Sequence, residues 1–229
     1  MPEQRFTLDQ NAIAAEQQAF MVKVFGWMAG GLAVSGLVAR WVATNMGPIG
    51  MGTFLVAAIL QFGLVIVLST RIDRFSANQA TGLFILYSAL TGVTLSTLLL
   101  VYTAESVAAT FAITAGVFAV MALYGYTTKK DLTGWGSFLF MGLIGIIIAS
   151  VVNMFIRSSQ VHMIISYVGV LIFTGLTAYD VQRIKAMNVL GNAGTEEDTK
   201  EAVIGALRLY LDFINLFIML LSIMGNRRN

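Results

Sequence analysis

The run EAVIGALRLYLDFINLFIMLL, Glu201 to Leu221, is long and apolar enough for lipid, yet it carries Arg208, Asp212 and Asn215. A charge at mid-bilayer costs roughly 2.5–3.5 kcal/mol even on the gentler insertion scales, so Asp212 must face protein, water or another charge. A helix built on Ala202–Met224 therefore belongs at the centre of a bundle, and the remaining apolar segments are its expected neighbours.

Composition supports that picture. Of the 229 residues, 57% are hydrophobic and 11% charged, and the mean hydropathy is +0.79. A soluble domain carries about 25% charged residues, so the chain reads as an all-α polytopic membrane protein. Without cysteine, disulfides and thiolate metal sites are excluded. The net charge of +2 is better used loop by loop, as an orientation signal, than as a sign of nucleic-acid binding, and no nucleic-acid partner is expected.

Seven windows are long enough to cross about 30 Å of hydrocarbon at about 1.5 Å per residue. They are Phe20–Ala43, Ile49–Thr70, Thr81–Tyr102, Ser106–Tyr126, Leu132–Ile156, Val161–Val181 and Ala202–Met224. Residues 1–19 contain Glu3, Arg5, Asp9 and Glu16 without a basic start, and read as a short polar tail rather than a signal peptide. Residues 20–224 form one seven-helix domain, and 225–229 a polar carboxyl tail. The longer connection, Gln182 to Glu201, holds the acids Glu196, Glu197 and Asp198. It reads as a solvated loop, with a calcium-attracting vestibule as the sharper alternative.

Basic residues set the orientation. One side collects Arg5, Lys23, Arg71, Arg74, Lys129, Lys130, Arg183, Lys185 and Lys200; the other has Arg40, Arg157, Arg227 and Arg228. Nine against four places the amino terminus in the cytoplasm, with the terminal arginine pair pulling the other way. Gly26 and Gly30 have the spacing that lets helices approach closely, and Gly31 and Ser35 repeat it on an adjacent face. Packing within the bundle and a dimer interface are the two readings. Trp27, Trp41 and Trp135 are candidate interfacial anchors.

The chemistry concentrates in the last two spans. Asp180 lies near the cytoplasmic end of the sixth, and Arg208 and Asp212 lie four apart on one face of the seventh. Counted from Leu207, the seventh span covers about 27 Å, which puts Asp212 roughly one turn below the cytoplasmic surface. Asp180 comes to a similar depth on the neighbouring antiparallel helix, so the carboxylates can meet. Two such groups in a low-dielectric site do not both ionise easily and titrate as a unit. A guanidinium opposes that and can hold the pair anionic. Arg71 reaches from a third helix, with Arg74 and Arg208 as rivals. The reading is a proton-sensitive latch, set against a buried ion pair that only fixes helix register. Asn215 is a supporting hydrogen-bonding group or packing glue. Glu105, the one charge between Arg74 and Lys129, marks a membrane surface and a candidate outer mouth.

The run Leu209-Tyr210-Leu211-Asp212-Phe213-Ile214-Asn215-Leu216-Phe217, with Ala178-Tyr179-Asp180 before it, resembles the Bax inhibitor (transmembrane Bax inhibitor motif) family. Leu90-Thr91-Gly92-Val93-Thr94-Leu95-Ser96 is similar to the same family. The resemblance covers most of the chain from about Phe20, and the short polar amino end without a lysine-rich tail looks like a bacterial member of the cytoplasmic (inner) membrane. It implies a last helix wrapped by the other six and a calcium leak controlled by an aspartate pair, here Asp180 and Asp212. The family's latch arginine falls on Arg71.

The leading expectation is a passive, pH-sensitive calcium leak, with calcium as the transported ion, held transiently at Asp180 and Asp212, and no cofactor. A cation–proton secondary transporter would use the same carboxylates, although no inverted repeat supports it. A non-conducting regulator bound to a membrane protease or stress-pathway protein is the third class. An enzyme is not expected. His162 is the sole histidine, no Gly-x-Ser-x-Gly occurs, and Ala202–Met224 has no lysine for a retinal Schiff base.

Overall fold

The computed structural model describes residues 2–228, with side chains from Asn11 onward. Arg5 and most of the expected polar tail fall outside those side chains. Among the described residues there are seven α-helices: α1 (Pro2–Asn45), α2 (Met51–Arg71), α3 (Ala77–Val101), α4 (Ala104–Thr127), α5 (Thr133–Ile156), α6 (Ser159–Met187) and α7 (Glu196–Met224). All seven are long and apolar enough to cross a membrane. In lipid every backbone N–H and C=O needs an internal partner, and a continuous helix supplies one. A short 3-10 turn, Ile72–Arg74, follows α2.

Helix ends follow local chemistry. Gly47 takes a left-handed φ of 67° ahead of Pro48 and breaks the chain between α1 and α2. Thr103 caps α4, its side chain accepting the Ser106 N–H. The helices α6 and α7 run past their apolar windows, so the expected twenty-residue loop shrinks to residues 188–195. Glu196, Glu197 and Asp198 are not in a solvated loop; they form the first turn of α7, where negative charge suits the helix dipole.

The chain divides into two compact units. The first joins residues 1–97 to 184–208. There a Cβ at Gly31 would lie 2.6 Å from the Phe84 ring, and one at Gly92 2.6 Å from the Ser35 carbonyl. Ser35 Oγ donates to the Ser88 carbonyl at 2.7 Å. The close approach of α1 and α3 is therefore at the Gly31–Ser35 face. Among the described residues, nothing lies within 4 Å of a Cβ added at Gly26 or Gly30.

The second unit joins residues 98–183 to 209–229. Glycines again set the spacing: Gly125 backs onto the Ala178 carbonyl, Gly136 lies under the Tyr179 ring, and Gly175 meets Leu139. Phe111 and Phe118 meet Phe213 of α7 edge-on, with ring centroids 5.2 and 5.5 Å apart. Leu216 joins Ile146, Ile165, Ile172, Phe173 and Leu176 in one buried cluster. After α7 the chain pairs with the α3–α4 turn. Thr103 donates its N–H to the Asn226 carbonyl and Arg228 donates to that of Val101, while Ser106 Oγ accepts the Asn226 N–H.

Candidate functional site

Both aspartates belong to the second unit. Asp212 is 5% exposed, on a helix whose neighbouring positions Leu209, Tyr210, Phe213 and Leu216 are also buried. Asp180 is half-buried, two residues after the buried Ala178. Their relative height follows from the packing of α6 on α7. Gly169 meets the Met219 side chain, and Leu216 clusters with Ile172, Phe173 and Leu176. Carried along the antiparallel pair, that register sets Asp212 level with Leu176, four residues short of Asp180. The axial offset is about 6 Å, one helical turn. Neither Asp180 nor Asp212 is left without a partner.

The three arginines lie in the first unit and differ in burial. Arg71, at the last turn of α2, and Arg74, in the 3-10 turn, are exposed. Arg208 is half-buried and engaged, and it shares a face of α7 with Asp212 by its four-residue spacing. Asn215 donates an amide N–H to the Leu211 carbonyl of its own helix at 2.8 Å. Glu105 is exposed in the first turn of α4.

The model of the family described as "Inhibitor of apoptosis-promoting Bax1" matches residues 17–229. The chain belongs to that family. The inner membrane protein YbhL of Escherichia coli K12 is 50% identical over 218 residues, covering 92% of this chain and 93% of its own. An uncharacterized protein of Borreliella burgdorferi is 51% identical over 215 residues, with 92% and 93% covered. One from Deinococcus radiodurans is 40% identical over 228 residues, 99% of this chain and 98% of its own.

This Bax1-inhibitor family chain also holds two polar groupings that sequence reading passed over. Gln61 of α2 donates to the Leu90 carbonyl at 3.2 Å and accepts from Thr91 Oγ1 at 3.3 Å. An amide inside an apolar window was the signal. Lys23, counted with the surface basic residues, instead pairs with Asp198 Oδ2 at 3.0 Å and donates to Thr199 Oγ1 at 2.9 Å. Its place inside the Phe20–Ala43 window was the signal there. The acids at the start of α7 are similarly occupied. Asp198 also accepts the Gly194 N–H, and Glu196 accepts the Ala77 N–H. Among the described residues no group of three or more His, Cys, Asp or Glu side chains could hold a metal ion.

Proposed function

We propose that this Bax1-inhibitor family protein is a passive, pH-sensitive calcium leak of a bacterial inner membrane, as the name of the Escherichia coli relative suggests for location. The observation that carries the reading is Asp212, buried on an apolar membrane-length helix; the α6–α7 register, with its axial offset of about one turn, supports pairing it with Asp180. Ionisable residues inside membrane spans mark ion pathways and sensors, and calcium, a hard cation, prefers carboxylate oxygens. The pair binds calcium transiently and titrates as a unit. The central position of α7, and a cytoplasmic amino terminus from the charge asymmetry, complete the proposal. Among the latch candidates, Arg208 is favoured over Arg71 and Arg74 by its burial and its position one turn before Asp212. Glu105 serves the outer mouth.

Calcium entry into proteoliposomes, measured across pH, tests this directly. Wild-type flux is expected to change by up to about tenfold per pH unit through the titration, the limit for one proton. Asp180→Asn and Asp212→Asn are each expected to flatten that response. Unchanged flux and an unchanged pH response in both variants would sink the sensor. Accumulation driven by a proton gradient, in place of equilibration, would identify an exchanger. If flux is absent altogether, capture of a membrane-protein partner from native membranes would favour the regulator.

A further inference from the structure

A cleft of about 370 Å³ opens where α4, α5 and α6 meet the 128–132 connection. Its size falls within the range of small-ligand sites. The floor is apolar, made by Met121, Leu139, Gly175 and Ala178, and Tyr124 and Trp135 stand at its sides. Lys130 and Asp131 form the rim. The connection is held in place: Leu132 donates its N–H to Gln182 Oε1 at 2.9 Å, and Gln182 Nε2 donates to the Lys130 carbonyl at 2.8 Å. Lys130 thus projects from a fixed backbone.

Charge and surroundings narrow the occupant. Lys129, Lys130 and Arg183, whose guanidinium reaches the Tyr179 hydroxyl at 3.4 Å, outnumber the acids Asp131 and Asp180 at this end of the unit. Asp131 already accepts the Thr133 N–H at 2.8 Å. Neither lysine forms an ion pair among the described residues. Beside the cleft, Trp135 and Phe138 are 64% and 62% exposed and meet edge-on at 6.3 Å. Aromatic rings of this kind gather at the membrane–water boundary. A basic rim, a boundary aromatic wall and an apolar floor match an amphiphile with an anionic head. Basic pockets between membrane helices bind such heads.

We propose that this cleft binds one anionic glycerophospholipid of the surrounding bilayer. Its phosphate lies on Lys130, with Lys129 and Arg183 adding field. Its glycerol end and upper chain segments fill the floor, and the rest of the chains run along the exposed face of α5. Neither Asp180 nor Asp212 lines the cleft.

Lipid retention by the full chain, read by native mass spectrometry after extraction from nanodiscs, tests the proposal. The nanodiscs contain phosphatidylcholine alone or mixed with phosphatidylglycerol. One phosphatidylglycerol is expected to be retained in preference to phosphatidylcholine, and Lys130→Gln to weaken retention about fivefold. Arg40→Gln, exposed on α1, should leave it unchanged. Met121→Trp should fill the floor and abolish retention, and glycerol 3-phosphate should not displace the lipid. Equal retention of both lipids overturns the proposal, as does equal weakening by Lys130→Gln and Arg40→Gln. Displacement by glycerol 3-phosphate also overturns it, since an anion site alone would suffice. If Met121→Trp fails to fold by circular dichroism, the double variant Lys129→Gln/Lys130→Gln decides alone, with unchanged retention as the refuting result.

Discussion

Helices α5 and α7 invert what a soluble protein would teach. The most apolar helix of the seven is α5, and only 6% of its best apolar window is buried; for α7, with its arginine and aspartate, the share is 56%. In water the apolar helix would go inside. In a bilayer lipid solvates apolar side chains as well as protein does, so no hydrophobic gain draws α5 inward. Polar groups, by contrast, are driven inward by the cost of facing hydrocarbon. Between these two helices, the more apolar one is the one that meets lipid.

The strongest way to break this contrast is to give α5 what α7 has. Ile147 is 55% exposed, and Ile147→Asp is expected to raise the insertion free energy of α5 by about 2.5–3.5 kcal/mol. Glycosylation mapping of the inserted chain checks this; efficient insertion would mean that the exposed face of α5 is covered by something other than lipid. A smaller effect separates the two helices by packing. Leu216 is fully buried and Ile148 is 59% exposed. Leu216→Ala should lower stability in mixed micelles by about 2–3 kcal/mol through the cavity it leaves, and Ile148→Ala by less than about 0.5 kcal/mol. Comparable losses would contradict the burial difference.

The smallest effect concerns how α5 begins. The Thr133 side chain and then its backbone N–H hold the Asp131 carboxyl below the usual carboxylate range. A carboxyl depressed by folding contributes stability above its unfolded value, about 3.9, and that contribution is lost as pH falls through the folded value. Asp131→Asn should therefore lower the thermal midpoint slightly at neutral pH. The difference from wild type should vanish in strong acid. A difference that persists or grows there would assign the effect to something other than the charge.

Much of this fold was legible from residue type alone. The apolar windows came within a few residues of α2, α4 and α5, and the gap between the windows ending at Tyr102 and starting at Ser106 held the break between α3 and α4. The misplaced ends share one cause: Gln182 to Met187 and Glu196 to Glu201 continue helices through polar turns, which an apolar window cannot register. Among the site residues, the interior position of Asp212 followed from the cost of charge in lipid. The Lys23–Asp198 pair did not, because its partners are 175 residues apart and only tertiary packing joins them. The choice between Gly26–Gly30 and Gly31–Ser35 was also out of reach. Both have the same spacing, and the Phe84 and Ser88 side chains that select one come from another helix.

The tethers at the two ends of α7 have a kinematic consequence. At its start, Glu196, Asp198 and Thr199 hold it through Ala77 and Lys23; past its end, Asn226 and Arg228 are stitched to Val101, Thr103 and Ser106. Sliding the helix lengthwise by one turn, about 5.4 Å, past the neighbours at either end would break the bonds at that end. Turning a side chain such as Asp212 about its own χ angles breaks none of them. Any switch built on α7 is thus geared to rotamers and small rolls of the helix, and a piston stroke is the motion this architecture resists most.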